Sequence, residues 1–206
     1  AKHVVMTGIS DDSLDWSSGW NGNLQFALVV QASDEGDHMW ELDNLPSDNT
    51  KTPLTAPNVS NFTLVGQAGN DTAILQRVGV GGISVNGVVT GSPRCLDIDD
   101  TATLQSGIQY HSVLFDCATT YQDDTNVTGA EAQAVFEAGT NNTTSVSNTL
   151  TSTFVNGTAE SGRTVFDPTT LNAFFTTVDY IGAVKDTTDT WWQNWTCGLG
   201  SPTPAC

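Results

Sequence analysis

Three aspartates, Asp11, Asp12 and Asp15, fall within TGISDDSLDWSSGWNG (residues 7–22), beside Trp16 and Trp20. Several carboxylate oxygens this close in sequence are what a hard cation such as calcium takes as ligands. The spacing departs from the D-x-D-x-D-G ladder of a calcium loop, and the same residues suit a turn. Asp and Ser side chains bond freed backbone groups there, while Gly19 and Gly22 permit chain reversal. The sequence therefore favours a structural corner, with calcium at Asp11, Asp12 and Asp15 as the alternative and no other cofactor expected. A lyase acting beside a uronate carboxylate needs a cationic base or neutraliser. The cations Lys2, Lys51, Arg77, Arg94, Arg163 and Lys185 are scattered, so no basic cleft is expected. His3, His38 and His111 show no ligand spacing and read as ordinary strand or loop residues.

Any such chemistry depends on the elements that hold these residues. Short β-branched runs separated by Gly and Asn/Asp clusters dominate, and helical spacing is confined to the region of GAEAQAVFEAG. The runs VVMTG, LVVQA, TLVGQ, GVVTG and VLFDC begin at Val4, Leu28, Thr63, Gly87 and Val113. A spacing of roughly two dozen residues with one insertion is the mark of a solenoid. The insertion LDNLPSDNTKTPLTAPN reads as an outward loop. The expected fold is all-β: a short right-handed parallel β-helix with an insertion loop and a C-terminal capping or strand-exchanging segment. One domain spans 1–206, with regular coils over 1–120 and a less regular cap or extension over 121–206.

A second segment follows each run: DSLDW, MWELD, AILQR and CLDID, aligned from Asp12, Met39, Ala73 and Cys95. This alignment turns Trp40, Leu42, Ile74, Gln76, Leu96 and Ile98 inward, with Ser13 and Asp15 as the first coil's exception. It stacks Trp16, Asp43, Arg77 and Asp99 outside, with one cation between two acids. Glycosidase carboxyl pairs stand about 5 to 9.5 Å apart. With coils about 4.8 Å apart, Asp15 and Asp97 would lie about 14 Å apart, and Asp43 and Asp99 about 9.6 Å apart across Arg77. Asp43, Arg77 and Asp99 therefore read as a charge-neutralised ladder, and no catalytic residue is assigned. Cys95 and Cys117 are close to one coil apart and are expected to form a disulfide, with a second joining Cys197 to Cys206 across the Pro-rich tail.

SDDSLDWSSGWNGNLQFALVVQ, NVSNFTLVGQ, GVVTGSPRCLDIDD and VDYIGAVKDTTDTWWQNWTCG resemble a group of secreted or surface bacterial proteins, often described only as hypothetical proteins or lipoproteins. The resemblance implies a right-handed parallel β-helix ending in a D-Y-x-G-A-F and W-T-x-G-W-T type signature. It covers most of the chain and is weakest over 120–175. Longer members carry further coils before the segment matching HVVMTG, and this chain ends instead in CGLGSPTPAC. The resemblance implies a fold and no activity.

Six Lys and Arg stand against 23 Asp and Glu in 206 residues, a formal charge of -17 that disfavours nucleic acid and anionic membranes. No apolar stretch reaches the roughly 20 residues of a membrane span. The chain opens at Ala1 without a signal-like segment and reads as a processed product. Four cysteines without CxxC spacing suit an extracellular or cell-surface location. Sequons at Asn58, Asn61, Asn70, Asn126, Asn141, Asn142, Asn156 and Asn194 are weak candidates for glycans in an Asn/Thr-rich chain. Trp191, Trp192 and Trp195 read as core or cap.

A β-helix must cover the strand edges of its end coils. The Thr-rich segment 140–175 is one candidate cover for the first coil, and a neighbouring subunit is the other. The leading functional expectation is a secreted, non-enzymatic subunit that self-assembles through open β-helix ends or strand exchange into a filament or surface layer. The rival is a monomeric surface module binding carbohydrate through Trp16, Trp20 and Trp40. A polysaccharide-acting enzyme comes third.

Overall fold

The computed structural model describes residues 1–194, Thr196, Cys197 and Leu199. Each coil contributes one longer and one shorter strand. The longer strands are β1 (Lys2–Thr7), β3 (Asn23–Val30), β5 (Asn58–Val65), β7 (Ile83–Thr90) and β9 (Gln109–Asp116). The shorter are β2 (Leu14–Trp16), β4 (Trp40–Leu42), β6 (Thr72–Gln76), β8 (Arg94–Ile98) and β10 (Thr119–Tyr121). The odd strands pair in the order β1-β3-β5-β7-β9 and the even strands in the order β10-β8-β6-β4-β2, every pair parallel. Advancing one rung per coil in this way makes a short right-handed parallel β-helix. Thr7, Val30, Val65, Thr90 and Asp116 share one column, so Gly8, Gly91 and Cys117 follow one another along a single wall. Gly91 has φ +85° and stands against the Gly66 carbonyl, where a side chain would collide.

A second column bends the odd sheet. His3, Phe26, Asn61, Asn86 and Ser112 occupy matching register positions and all have φ between 55° and 62°. Left-handed backbone at one point of every long strand turns the chain there and gives the coil an additional corner. Asn tolerates that conformation better than most residues, which accounts for Asn61 and Asn86 at the central rungs. The signal is present in the sequence only as isolated asparagines inside apolar runs.

Inside the coils, Trp40 packs 4.6 Å from Phe62, and the Phe62 ring fits because Gly87 on the next rung has no Cβ. The alignment of the first coil requires correction. Leu14 pairs with Trp40, Asp15 with Glu41 and Trp16 with Leu42, one residue off the expected match. Because side chains alternate along a strand, that slip exchanges faces. Leu14 and Trp16 belong to the core side, Asp15 lies outside, and Trp16 leaves the outer stack predicted for it. The LVVQA and TLVGQ runs are likewise one residue late: Val4, Ala27, Phe62, Gly87 and Val113 are the true partners. These strands are buried on both faces, so alternation that would fix register is missing from the sequence.

The last coil is covered by helix α2, the nine residues Gly129–Glu137, placed after a four-residue helix α1 (Thr101–Leu104). Thr128 and Glu131 form a reciprocal capping box, and Phe136 stacks 4.3 Å from Phe115. Residues 140–192 then form a strap over the outside of the odd sheet. Thr143 bridges Leu114, Phe166 meets Asn86, Thr176 meets Gln25, and Trp191 reaches His3. Beneath the strap, Leu28, Val65, Val88 and Leu114 pack against Phe154, Val155, Ile181, Ala183, Val184 and Trp192. Segment 140–175 therefore lies along the flank and does not cover the first rung's edge. Among the described residues, β1 pairs only with β3 and β2 only with β4.

Candidate functional site

Among the described residues, the strap lies on the odd sheet and none covers the outer face of the even sheet. Strand alternation sends Asp15, Glu41, Leu75 and Asp97 outward in one column, and Asp43, Arg77 and Asp99 follow the ends of β4, β6 and β8 in the next. The Arg77 side chain reaches back one rung. Its Nε donates to Asp43 Oδ1 at 2.8 Å, and its guanidinium also pairs with Glu41. Asp99 receives only through-space help from Arg77, and burial, Asp124 and Asp100 together raise its carboxyl above the usual range. The ladder of Asp43, Arg77 and Asp99 is therefore uneven, with the cation drawn to the second coil.

Upstream of this column, Asp12 Oδ1 accepts from both the backbone N–H and Nδ1 of His38, each at 3.0 Å. Burial pushes the Asp12 carboxyl up, but hydrogen bonds from Glu41 and His38 outweigh it and leave the group below its ordinary value. Glu41 is displaced the opposite way, by its bond to Asp12 first and burial second, against the opposing pull of Arg77. Two interacting carboxyls titrate as a pair, with Asp12 held low and Glu41 pushed up. Asp15 is raised by burial and by Asp12 and Asp43. Asp97 is pushed up to about 6, by burial first and then by Asp124 and Asp99.

The calcium candidate is only partly assembled. Asp11 and Asp12 come within 4.8 Å of Asp37, whereas Asp15 belongs to the Glu41 column and joins none of the grouped donors. Asp12, His38 and Glu41 form another close set, as do Asp37, His38 and Asp71. Imidazole with carboxylates is a donor set for a transition-metal ion, while all-carboxylate oxygen suits calcium. The sequence reading missed His38 because its partner is 26 residues away; the signal was the separation itself, close to one coil.

The three candidate ligand aromatics separate. Trp20 is 37 % exposed and stacks 4.7 Å from the half-buried Trp16. Trp40 is 1 % exposed and sits in the core between Trp16 and Phe62, so no ligand reaches it. Trp16 and Trp20, with Val4, Met6, Leu14 and Leu24, line an apolar cavity of about 240 Å³ at the first rung. Trp192 is buried against Phe154 and Trp191 donates to the Ala183 carbonyl, whereas Trp195 lies outside the described residues.

Cys95 and Cys117 are bonded across adjacent coils with Cα atoms 5.5 Å apart. The expected Cys197–Cys206 pairing falls on Cys206, outside the described residues. The sequons divide by burial: Asn126, Asn141 and Asn194 are exposed, and Asn58, Asn70 and Asn142 are half-buried. Asn61 and Asn156 are buried, their amides donating to strap carbonyls, which excludes a glycan at either. Asn142 is likewise committed, to the Tyr110 and Phe136 carbonyls. No described helix is long and apolar enough to cross a membrane.

Comparison with curated proteins and with solved structures finds no match. Residues 1–196 match the family model described as a pectate-lyase-like beta helix domain. With stacked parallel coils over the same span, the chain belongs to the pectate-lyase-like β-helix family.

Proposed function

We propose that the protein is an extracellular carbohydrate-binding β-helix whose ligand lies along the uncovered face of the even sheet. The observation that carries this reading is the contrast between the flanks: one is sealed by the strap, and the other carries the exposed Asp15 and the half-buried Glu41, Asp43, Arg77, Asp97 and Asp99 on its outer face. A polymer running parallel to the solenoid axis meets a charged side chain at each of the first four rungs, about 4.8 Å apart: Asp15, then Glu41 and Asp43, then Arg77, then Asp97 and Asp99. With a formal charge of -17 and one arginine in the array, the face suits neutral or amino sugars and repels polyuronates. The disulfide supports an oxidising compartment. Binding without cleavage is preferred because the Glu41 carboxyl is already engaged by Asp12 and Arg77.

Native affinity gels containing a neutral glucan, chitosan or polygalacturonate provide the test. Retardation is expected in the first or second, and at least about fivefold weaker in Asp43→Ala/Asp99→Ala, since each lost polar contact is worth about 0.5–1.5 kcal/mol. Migration unchanged in all three gels contradicts the reading, and release of reducing ends replaces it with hydrolysis.

Self-assembly is the second reading, favoured by the apolar cavity that the exposed Trp20 lines beside β1 and β2. Head-to-tail stacking needs an open edge at both ends, and α2 packs over the last coil. The first rung therefore supports pairing of two copies better than a filament. Light scattering at increasing concentration separates dimer, polymer and monomer, and Trp20→Ala weakens only an association that uses the first rung.

A further inference from the structure

Two imidazoles fasten the strap to the flank beneath it, one near each end. At the last rung, the Thr140 backbone N–H donates to His111 Nδ1 at 3.0 Å, and Phe166 stacks on the ring at 4.8 Å. A ring nitrogen that accepts a hydrogen bond carries no proton. His111 is therefore neutral in the closed structure, with its hydrogen on Nε2 toward Gln109 Oε1, 3.3 Å away. At the first rung, His3 lies 4.7 Å over Phe26 and 5.0 Å from Trp191 of the strap. Protonation of His111 takes away the acceptor that holds Thr140, and at His3, whose ring stays exposed on one side, Phe26 and Trp191 remove part of the water that a charged imidazole prefers.

The neighbouring charges do not reverse that preference. Burial lowers His3 most, Lys2 on the same strand lowers it further, and Asp189 from the strap opposes them. Burial also lowers His111, whose contacts Gln109, Thr140 and Phe166 carry no charge.

We propose that the strap is an acid-released cover: protonation of His3 and His111 unfastens its two ends and bares the apolar stripe of Leu28, Val65, Val88 and Leu114. Both folded imidazoles titrate below the ordinary value, whereas an uncovered one titrates near about 6.5. The open form consequently binds protons first. The cover is fully stable above about pH 6.5 and weakens as pH falls toward the folded values, with opening favoured by up to about tenfold per pH unit for each histidine.

Cleavage within 140–192 by a protease active across the range, together with binding of a dye specific for apolar surface, measures opening of the full chain between pH 7.5 and 5.0. In the wild type, opening rises at least tenfold. In His3→Phe/His111→Asn it changes less than twofold, because Phe retains the stack and Asn retains an acceptor for Thr140 without titrating. The acids of the opposite flank, including Asp97, are unchanged in this variant and supply the control. His3→Phe and His111→Asn singly each remove about half of the logarithmic response while leaving the other fastening intact. An unchanged wild-type strap at pH 5.0, or single variants that respond as the wild type does, overturns the proposal.

Discussion

The carboxyl of Asp97 stands on the uncovered flank at about 6, held there by burial and then by Asp124 and Asp99. A raised acid binds its proton more tightly in the folded chain, so its stabilising contribution is complete below about 3.9 and is lost as pH rises through about 6. The site remains partly solvated, which reduces the effect to about 1 kcal/mol after screening. Asp97→Asn is expected to be more stable than the wild type by that amount at pH 7.5 and to show no gain at pH 4, as read by urea denaturation at each pH. Arg77 has the opposite role, since Glu41, Asp43 and Asp12 crowd together without it. Arg77→Met is expected to lose about 1 kcal/mol at low salt and to recover part of it in 0.5 M NaCl, where screening falls to about 4 Å. Equal losses at both salt concentrations would assign Arg77 a packing role instead.

Among the elements, the bent odd sheet and the strap depend on the same residues. Asn61 has φ 55°, and its amide donates to the Tyr180 and Gly182 carbonyls at 3.0 and 3.3 Å. Asn86 both donates to and accepts from Phe166, much as a strand neighbour would. Asn61→Ala is expected to cost about 3 kcal/mol, from strained backbone and orphaned strap carbonyls, and Asn61→Gly to recover about 1 kcal/mol at most. A glycine variant with wild-type stability would show the strap bonds to be worth nothing. The Cys95–Cys117 bridge, with a sequence separation of 22, is expected to contribute about 3 kcal/mol, measured as the stability lost by Cys95→Ala/Cys117→Ala. The bridge was legible because its spacing is close to one coil. Register was not: Leu14 and Trp16 could be recognised as core only by pairing them with Trp40 and Leu42. The strap escaped too, because side-chain amides, an isolated bridge at Thr143 and apolar contacts attach it in place of a strand ladder, leaving no period to read.

At the scale of the molecule, five coils, a helix over the last of them and a strap along one side leave a single broad sheet face open to solvent among the described residues. The coil spacing was visible in the sequence because every rung must repeat its apolar residues to stack. The site was less visible, since Asp12, His38 and Glu41 meet only through that stacking. Hydrogen exchange with and without the polysaccharide that retards the protein in gels tests the central claim directly. The flank reading predicts slower exchange in β4, β6, β8 and the turns carrying Asp43, Arg77 and Asp99, with the strap unchanged. Slowing confined to the strap or to the first rung around Trp20 would contradict it.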